Sequence, residues 1–568
     1  MDEHVPRAVT EAVRRRGVDF GRHGSGVRKR RWACERLAVA PGSGFRAMPP
    51  LSDARGMPYK SRGEAASGLF VPRSMGDLRW PCGVPVSTTH QLPIFDFDSA
   101  STRAAGDERL KRSVGSAVLR QYVARQARLA ELPDSDGLRT LAGQIKQHTL
   151  DHLDWYLEQL RDNVHRNGGK VHFAATAEEA RRIVLDIAAA EKCRRVIKSK
   201  SMVSEEIELA AAMEKAGMDV VETDLGEFIV QISHDKPSHI VTPIVHKDVK
   251  SVATLFQDYF GMPYTEDPTA LTRQARLHLR EKFRRADLGI TGGNFLVAES
   301  GQVCVVENEG NARQSTTTPR VLISIVGIEK LVPRLADLAV MLKLLARSAT
   351  GQPMTVYTSL FGGPRREGEK DGPERFHLVL VDNGRTEILG SEYRQTLRCI
   401  RCGACLNACP VYRKIGGHAY GHVYSGPIGA LITPLFAGMD KFQDLPKASS
   451  LCGACYEACP VKIDIPTMLI RMRRDIVHTR LNSPIERLIY RAWAWAYRSP
   501  LLYWLIGKFQ KWELRRRAGG SGWVEKMPSV AAGWTQIRDL PAPAARTFQQ
   551  LWRQRQKAQP RMDTNEHE

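Results

Sequence analysis

Seven of the eleven cysteines fall between residues 399 and 459, in two runs whose spacing suits thiolate ligation of metal. The first reads Cys399-Ile-Arg-Cys402-Gly-Ala-Cys405-Leu-Asn-Ala-Cys409-Pro410. Gaps of two residues let three successive sulfurs face one centre. Gly403 and Ala404 keep bulky side chains away from inorganic sulfide and leave amides free to hydrogen-bond it. The fourth cysteine, on the helix that follows, points away and serves a second cluster, and the proline marks the chain's departure. Four cysteines can also close around zinc, but this spacing, the proline and a partial repeat favour iron and sulfide. The repeat is Ser449-Ser-Leu-Cys452-Gly-Ala-Cys455-Tyr-Glu-Ala-Cys459-Pro460, with Ser449 where the first cysteine would stand. In the crossed arrangement, cluster 1 takes Cys399, Cys402, Cys405 and Cys459. Cluster 2 takes Cys409, Cys452 and Cys455 and is one thiolate short. Three fillings of that corner stay open: a three-iron cluster, a four-iron cluster with a labile iron, or completion by oxygen or a partner.

Other groups bear chemistry less specifically. Between the motifs, His418 and His422 lie in a glycine-rich stretch, Gly416–Pro427. They are expected either to tune a cluster or relay protons, or to satisfy backbone carbonyls. The polar run from Glu307 to Arg320 has glycine, hydroxyls and two arginines, which suits either an anionic ligand or a capped loop. It lacks the glycine signatures of nucleotide sites, and no flavin or nicotinamide fingerprint occurs elsewhere. His148 and His152 are an i, i+4 pair, expected on a solvated or partner-facing helix surface because no third ligand is near. Seven of the ten tryptophans lie beyond residue 490. The reading preferred for that basic, aromatic region is a small helical cap with tryptophans in its core, the alternative a membrane or partner surface.

The elements that must position these residues are of two kinds. Residues 170–383 alternate short apolar strands (171–174, 196–199, 220–222, 239–242, 288–291 and 321–326) with amphipathic helices near 177–193, 202–216, 247–259 and 268–285. This is the pattern of a mostly parallel sheet covered by helices. Phe295–Glu299 and Gln302–Glu307 flank Ser300-Gly301, a hairpin signal with a two-residue turn. Residues 95–168 read as helical, with Leu150, Leu153, Leu157, Leu160 and Val164 on one stripe. The expected organisation is a disordered basic extension at 1–94, a helical region at 95–168, an α/β domain at 169–383, a 4Fe-4S ferredoxin-like domain at 396–470 and a Trp-rich region at 471–568. The first segment reads either as a flexible tail or as a start set too far upstream, with Met48, Met57 and Met75 as alternatives.

The formal charge of +21 is spread along the chain, and no zinc-finger spacing or RNP-like stretch accompanies it, so no nucleic-acid partner is expected. No run of eighteen apolar residues occurs, so no transmembrane segment is expected. Clustered cysteines without a disulfide framework indicate a reducing compartment, hence the cytoplasm.

Five stretches resemble one family. They are Ile197-Lys-Ser-Lys-Ser-Met202; Val221-Glu-Thr-Asp-Leu-Gly-Glu-Phe228; Gly289-Ile-Thr-Gly-Gly-Asn-Phe295 with Asn308-Glu-Gly-Asn311; the whole of 399–460; and Trp534-Thr-Gln-Ile-Arg-Asp539. Together they resemble lactate utilization protein B (LutB/LldF), the iron–sulfur subunit of bacterial L-lactate oxidation, from about residue 96 to about 555. The resemblance implies an α/β LUD domain with a sugar-phosphate isomerase/CoA-transferase-like fold, followed by an α-helical ferredoxin-like 4Fe-4S domain and a helical C-terminal region. It implies the same seven cysteine ligands, with the gap at Ser449 normal for the family. It also implies electron transfer during oxidation of L-lactate to pyruvate. The implied partners are a Cys-rich iron–sulfur subunit and a second LUD protein, at most peripheral to the inner face of the membrane. Two rival expectations are a self-sufficient oxidoreductase with its catalytic site in the LUD domain, and a scaffold with structural clusters.

Overall fold

Apolar residues along the central strands point alternately to two faces, and each face is covered. In β7 (Val321–Gly327), Val321, Ile323 and Ile325 pack with Ala180, Val184, Leu209 and Met213, while Leu322 and Val326 join Leu338 and Met341 on the opposite side. In β10 (Arg375–Val381), Val379 and Val381 take the first face, and Phe376, Leu378 and Leu380 the second. Strands buried on both faces read as nearly continuous apolar runs, and that is the property of a parallel sheet sandwiched by helices. The computed structural model describes residues 94–535 and 538–558; the expected N-terminal extension, with Cys34 and Cys82, lies outside the described residues.

The main sheet adds β1 (Lys170–Ala174), β2 (Arg195–Lys198), β3 (Asp219–Glu222) and β4 (Leu288–Thr291). Its order is β1-β10-β7-β4-β2-β3, with every neighbour parallel. The chain steps from β2 outward to β3, then returns to lay β4 on the other side of β2. The order therefore reverses between β2 and β4, and a crevice opens at the carboxyl ends of these strands.

A second sheet, in the order β8-β5-β6-β9, is built on β5 (Phe295–Val297) and β6 (Gln302–Glu307), joined by β8 (Leu331–Val332) and β9 (Tyr357–Phe361). The antiparallel β5–β6 hairpin is present, but its last register pair is Val297 with Gln302, so four residues turn rather than two. Ala298 instead gives its amide to the Val332 carbonyl (3.0 Å), which draws it out of the hairpin ladder. Gly301, at φ 69°, closes the turn.

Three further expectations are corrected. The segment 239–242 is not a strand: the buried His239 accepts the amides of Val241 and Thr242 at Nδ1 (3.0 and 3.1 Å), which curls the backbone into a loop. The helix expected over 202–216 is two helices, Met202–Glu206 and Leu209–Lys215, separated at Glu208, whose φ is 51°. The tryptophans of the C-terminal region do not form a core. Helix Pro484–Arg498 buries no residue, and Trp493, Trp495, Trp504 and Trp512 are each at least half exposed. Their helices contact each other, as Tyr497 on Tyr503 at 5.3 Å illustrates, and the tryptophans on them stay half exposed or more.

The leucine stripe of the N-terminal helical region holds, with Leu150, Leu153, Leu160 and Val164 buried, across a break at His152. These helices clamp the cysteine segment. Arg125 donates to the Ala458 carbonyl (2.8 Å), and Arg139 donates to the carbonyls of Glu457 (2.6 Å) and Cys459 (2.9 Å).

Candidate metal centre

Each cysteine run folds into the same local shape. Arg401 and Leu451, which precede Cys402 and Cys452, have φ of 58° and 55°; Gly403 and Gly453, which follow those cysteines, have φ of 74° and 83°. A one-turn helix then carries the next cysteine in each case, Ala404–Ala408 and Ala454–Ala458, and these two helices pack together. Left-handed residues on both sides of a cysteine turn successive amides and sulfurs toward one point. The correspondence extends to the gap. Cys399 Sγ accepts the Arg401 amide (3.4 Å), and Ser449 Oγ accepts the Leu451 amide (3.1 Å). Ser449 therefore occupies the backbone position of a first ligand.

The sulfurs fall into two neighbourhoods. Cys399, Cys402, Cys405 and Cys459 together line a small pocket with Ile240, Ile428 and Ile463. Cys409, Cys452 and Cys455 interact electrostatically with one another. Cys405 also feels Cys455, so the two neighbourhoods adjoin. Burial pushes the Cys402 and Cys455 thiols up to about 12 and Cys459 up to about 11. Protonated thiols are what a dry site without metal favours; a bound cation reverses that preference and takes them as thiolates. Backbone amides at Tyr412 and Ile463 already point at Cys409 Sγ (3.4 Å) and Cys459 Sγ (3.3 Å), an arrangement suited to anionic sulfur. The surroundings of the first group are cationic. Lys146 is 1% exposed, held only by the carbonyls of Glu329 and Leu331, and burial lowers it to about 7 with Cys399 nearby. Arg401 Nη1 is buried without a hydrogen-bond partner. Buried cations beside four thiols fit a net anionic cluster. The two sites differ in access: Cys402, Cys405 and Cys459 are buried, whereas Cys452 is exposed.

The remaining candidates are placed as follows. His418 donates toward the Lys236 carbonyl (2.7 Å), and half-buried His422 accepts the Tyr424 amide (3.5 Å), so both serve the backbone. His148 meets Tyr156 Oη (3.0 Å), and His152 meets the His148 carbonyl (3.0 Å). In the 307–320 run the arginines turn away from any ligand: Arg320 pairs with Glu191 (2.8 Å), and Arg313 lies over Tyr357. Glu307, Asn308, Glu309 and Asn311 do line a cavity, but its cations are Lys200, Lys330 and Arg401. Lys330 follows the apolar strand β7 and carried no sequence signal beyond being a charge among buried neighbours.

Asp235, His246 and His418 also come together, each offering a ligand atom within 4.8 Å of the others. Lys247 already neutralises Asp235 at 2.8 Å, and both His246 nitrogens are engaged, with Ser238 (2.6 Å) and Asp235 (3.0 Å). This cluster is an interdomain contact, and it has a pH consequence. Burial and the adjacent His418 lower His246 to about 4, so between pH 6.5 and 4 the unfolded chain binds a proton that the folded chain refuses. Stability is therefore expected to fall as pH drops through that window. His246→Gln should lessen the loss between pH 7 and pH 5 by on the order of 1 kcal/mol, read from denaturant midpoints. An unchanged pH difference would contradict the assignment.

A doubly wound α/β domain clamped to a paired-motif cysteine module defines the class: a LUD-type domain fused to a dicluster iron–sulfur module. Family models agree, matching the LUD domain at residues 157–381, a 4Fe-4S dicluster domain at 395–463 and the C-terminal domain of lactate utilisation protein B at 478–557. Lactate utilization protein B of Shouchella clausii is 44% identical over 482 residues, covering 83% of this chain and 97% of its own. That of Bacillus licheniformis is 46% identical over 453 residues, covering 79% and 95%. The chain belongs to the lactate utilization protein B family. A solved structure of a DUF162 family protein from Deinococcus radiodurans is matched over 40% of this chain and 98% of that one, at 15% identity and a TM-score of 0.24. Among the described residues no helix is long and apolar enough to cross a membrane.

Proposed function

We propose that this chain is the iron–sulfur electron-transfer subunit of a complex that oxidises L-lactate to pyruvate. The observation that carries the reading is the division of seven cysteines into a group of four that shares one pocket, three of them buried, and a group of three that reaches the surface at Cys452, within a chain of this family. Cys399, Cys402, Cys405 and Cys459 hold one cluster; Cys409, Cys452 and Cys455 hold the other. When bound, such clusters supply one-electron redox sites. The protein's own residues supply the rest. Tyr412 and Ile463 present amides to ligand sulfurs, Arg125 and Arg139 fix the loop that carries Cys459, and Lys146 and Arg401 offset negative charge. The exposure of Cys452 gives partner subunits, a Cys-rich iron–sulfur protein and a second LUD protein, a place to exchange electrons. The LUD fold is of the sugar-phosphate isomerase/CoA-transferase type in this reading, the compartment is the cytoplasm, and the domain limits are those expected from the sequence.

Addition of L-lactate to the reconstituted complex should bleach the visible absorption of this subunit and produce reduced-cluster signals in electron paramagnetic resonance. Clusters that stay oxidised in an active complex would sink the reading. Anaerobically purified protein should hold roughly seven to eight irons. Stoichiometric zinc without acid-labile sulfide would contradict it.

Ser449 carries a sharper expectation. A serine hydroxyl is a poorer ligand for iron than thiolate, being harder and reluctant to lose its proton. Oxidation should release the iron at that corner and give a three-iron resonance, which Ser449→Cys suppresses. The substituted side chain is of similar size and inherits the Leu451 amide as its hydrogen bond. Indifference of the spectrum to Ser449→Cys would mean that another ligand fills the corner.

A further inference from the structure

The crevice at the carboxyl ends of β2 and β4 contains a cavity of about 360 Å³ that the cysteines do not account for. Its floor is where the two strands part: Ser199 Oγ donates to Thr291 Oγ1 (2.8 Å), and a side chain at Gly292 would meet Ser201 Oγ at 2.8 Å. Open α/β sheets take ligands at this reversal of strand order, because the loops leaving the two strands diverge there. One wall reaches the cluster module through Arg401 and Cys402.

The lining of the cavity carries both cations and carboxylates. Lys330 and Arg401 stand near each other. Arg401 is committed in part, to Glu329 (3.6 Å) and the face of Tyr424 (4.3 Å), but its Nη1 has no partner. Lys330 is 6% exposed, lines the cavity, and makes no hydrogen bond or ion pair with any described residue. A buried ammonium without a hydrogen-bond partner is costly, and Lys330, whose nearest opposing charge Glu329 is already bonded to Arg385, lines the cavity. Asp224, Glu307 and Glu309 stand together elsewhere on the lining. Glu307 is occupied by the Ala312 and Arg313 amides, and Glu309 by that of Leu225, which leaves further carboxylate lone pairs to accept from a ligand. A molecule that fits has an anionic group for Lys330 and a hydroxyl for the acidic side.

We propose that this cavity binds a small 2-hydroxy carboxylate, with the ammonium of Lys330 holding its carboxylate. The inference rests on the reading that the chain serves lactate oxidation and adds a site to it: substrate is held by this subunit, against the wall formed by Arg401 and Cys402. Binding alone is claimed; no bond is made or broken.

The test uses the full-length, cluster-loaded chain under anaerobic conditions, titrated calorimetrically with L-lactate, and with propionate, which lacks the hydroxyl. Wild type should bind L-lactate more tightly than propionate. Lys330→Met should weaken L-lactate by about ten- to a hundredfold, the loss expected for one charge-assisted hydrogen bond. Without ligand the same variant should unfold at higher denaturant, because an apolar isostere replaces an unpaired charge; a residue with a purely structural role would shift the midpoint the other way. No lactate binding by wild type would overturn the proposal whatever the variant does. So would a Lys330→Met variant that shifts the cluster's potential while leaving lactate affinity intact, since Lys330 would then serve the cluster alone. If lactate reduces the clusters in the reconstituted complex but does not bind this chain, the site is wrong and the electron-transfer reading stands. If lactate binds but the clusters are never reduced, the reverse holds.

Discussion

Cys459→Ala is expected to remove about half the iron, roughly four atoms, while leaving the second cluster's three-iron resonance in place. Cys459 lies in the second motif by sequence, yet it lines the pocket of Cys399, Cys402 and Cys405 and accepts the Ile463 amide there. If ligands followed sequence, its loss would instead abolish the three-iron signal. Cys452→Ala is the complementary variant, expected to erase that signal and spare the first cluster. The comparison is fair because the loop around Cys459 does not depend on its sulfur. Arg125 and Arg139 hold the carbonyls of residues 457–459, and Lys462 pairs with Asp136 (2.7 Å). Iron and acid-labile sulfide, measured with the resonance spectrum, decide it: loss of the three-iron signal on Cys459→Ala would overturn the crossed assignment.

Arg385→Ala is expected to destabilise the folded chain by about 3–5 kcal/mol, the cost of leaving buried charges without their partner. The Arg385 side chain is fully buried. It donates to Glu206 from Nη1 (2.9 Å) and Nη2 (2.7 Å), and to Glu329 from Nε (2.5 Å). Tyr424 Oη, from the cysteine module, donates to the same Glu206 (2.6 Å), and Arg401 stands 3.6 Å from Glu329. Removing Arg385 takes the principal counter-charge from two buried carboxylates at the seam between the α/β domain and the cysteine module. Burial alone would raise the Glu329 carboxyl, but Arg385, Arg401 and Lys330 outweigh it and bring it down to about 2. Its folded value lies below its unfolded one, so this contribution is present above about pH 4.5 and is lost as pH falls toward 2. Arg195→Ala is the control: its pair with Asp287 (2.7 Å) is half exposed and should cost no more than about 1 kcal/mol. Equal losses for the two variants, by denaturant unfolding, would refute the distinction.

The expected elements that formed did so for local reasons. β1, β2, β3, β4 and β7 are short apolar runs between helical periods, and the hairpin announced itself through Ser300-Gly301. Where local signals competed, they misled. His239–Thr242 has strand composition, but the imidazole of His239 captures two backbone amides and bends the segment against Asn407 of the cysteine module, 3.2 Å away. β10 is not among the strands expected from the sequence, although it lies inside the main sheet between β1 and β7. The tryptophans beyond residue 490 look like core by composition, yet each is left about half exposed or more.

The cysteine loops are the part the amino-acid sequence determined by itself. Ligand type, gap length, flanking glycine and the substitution at Ser449 all act within a dozen residues, where backbone reach alone decides what can meet. Which charges would be buried together was settled only by the tertiary structure. Arg385 reaches Glu206 across 179 residues, and Lys146 reaches Glu329 across 183. The cavity likewise joins loops after β2, β3, β4 and β7 to Arg401 and Cys402. A lone lysine such as Lys330 reads in sequence as a solvated charge. It becomes an anion-binding candidate only because the fold buries it, gives its neighbour Glu329 to other partners, and leaves one polar space in front of it.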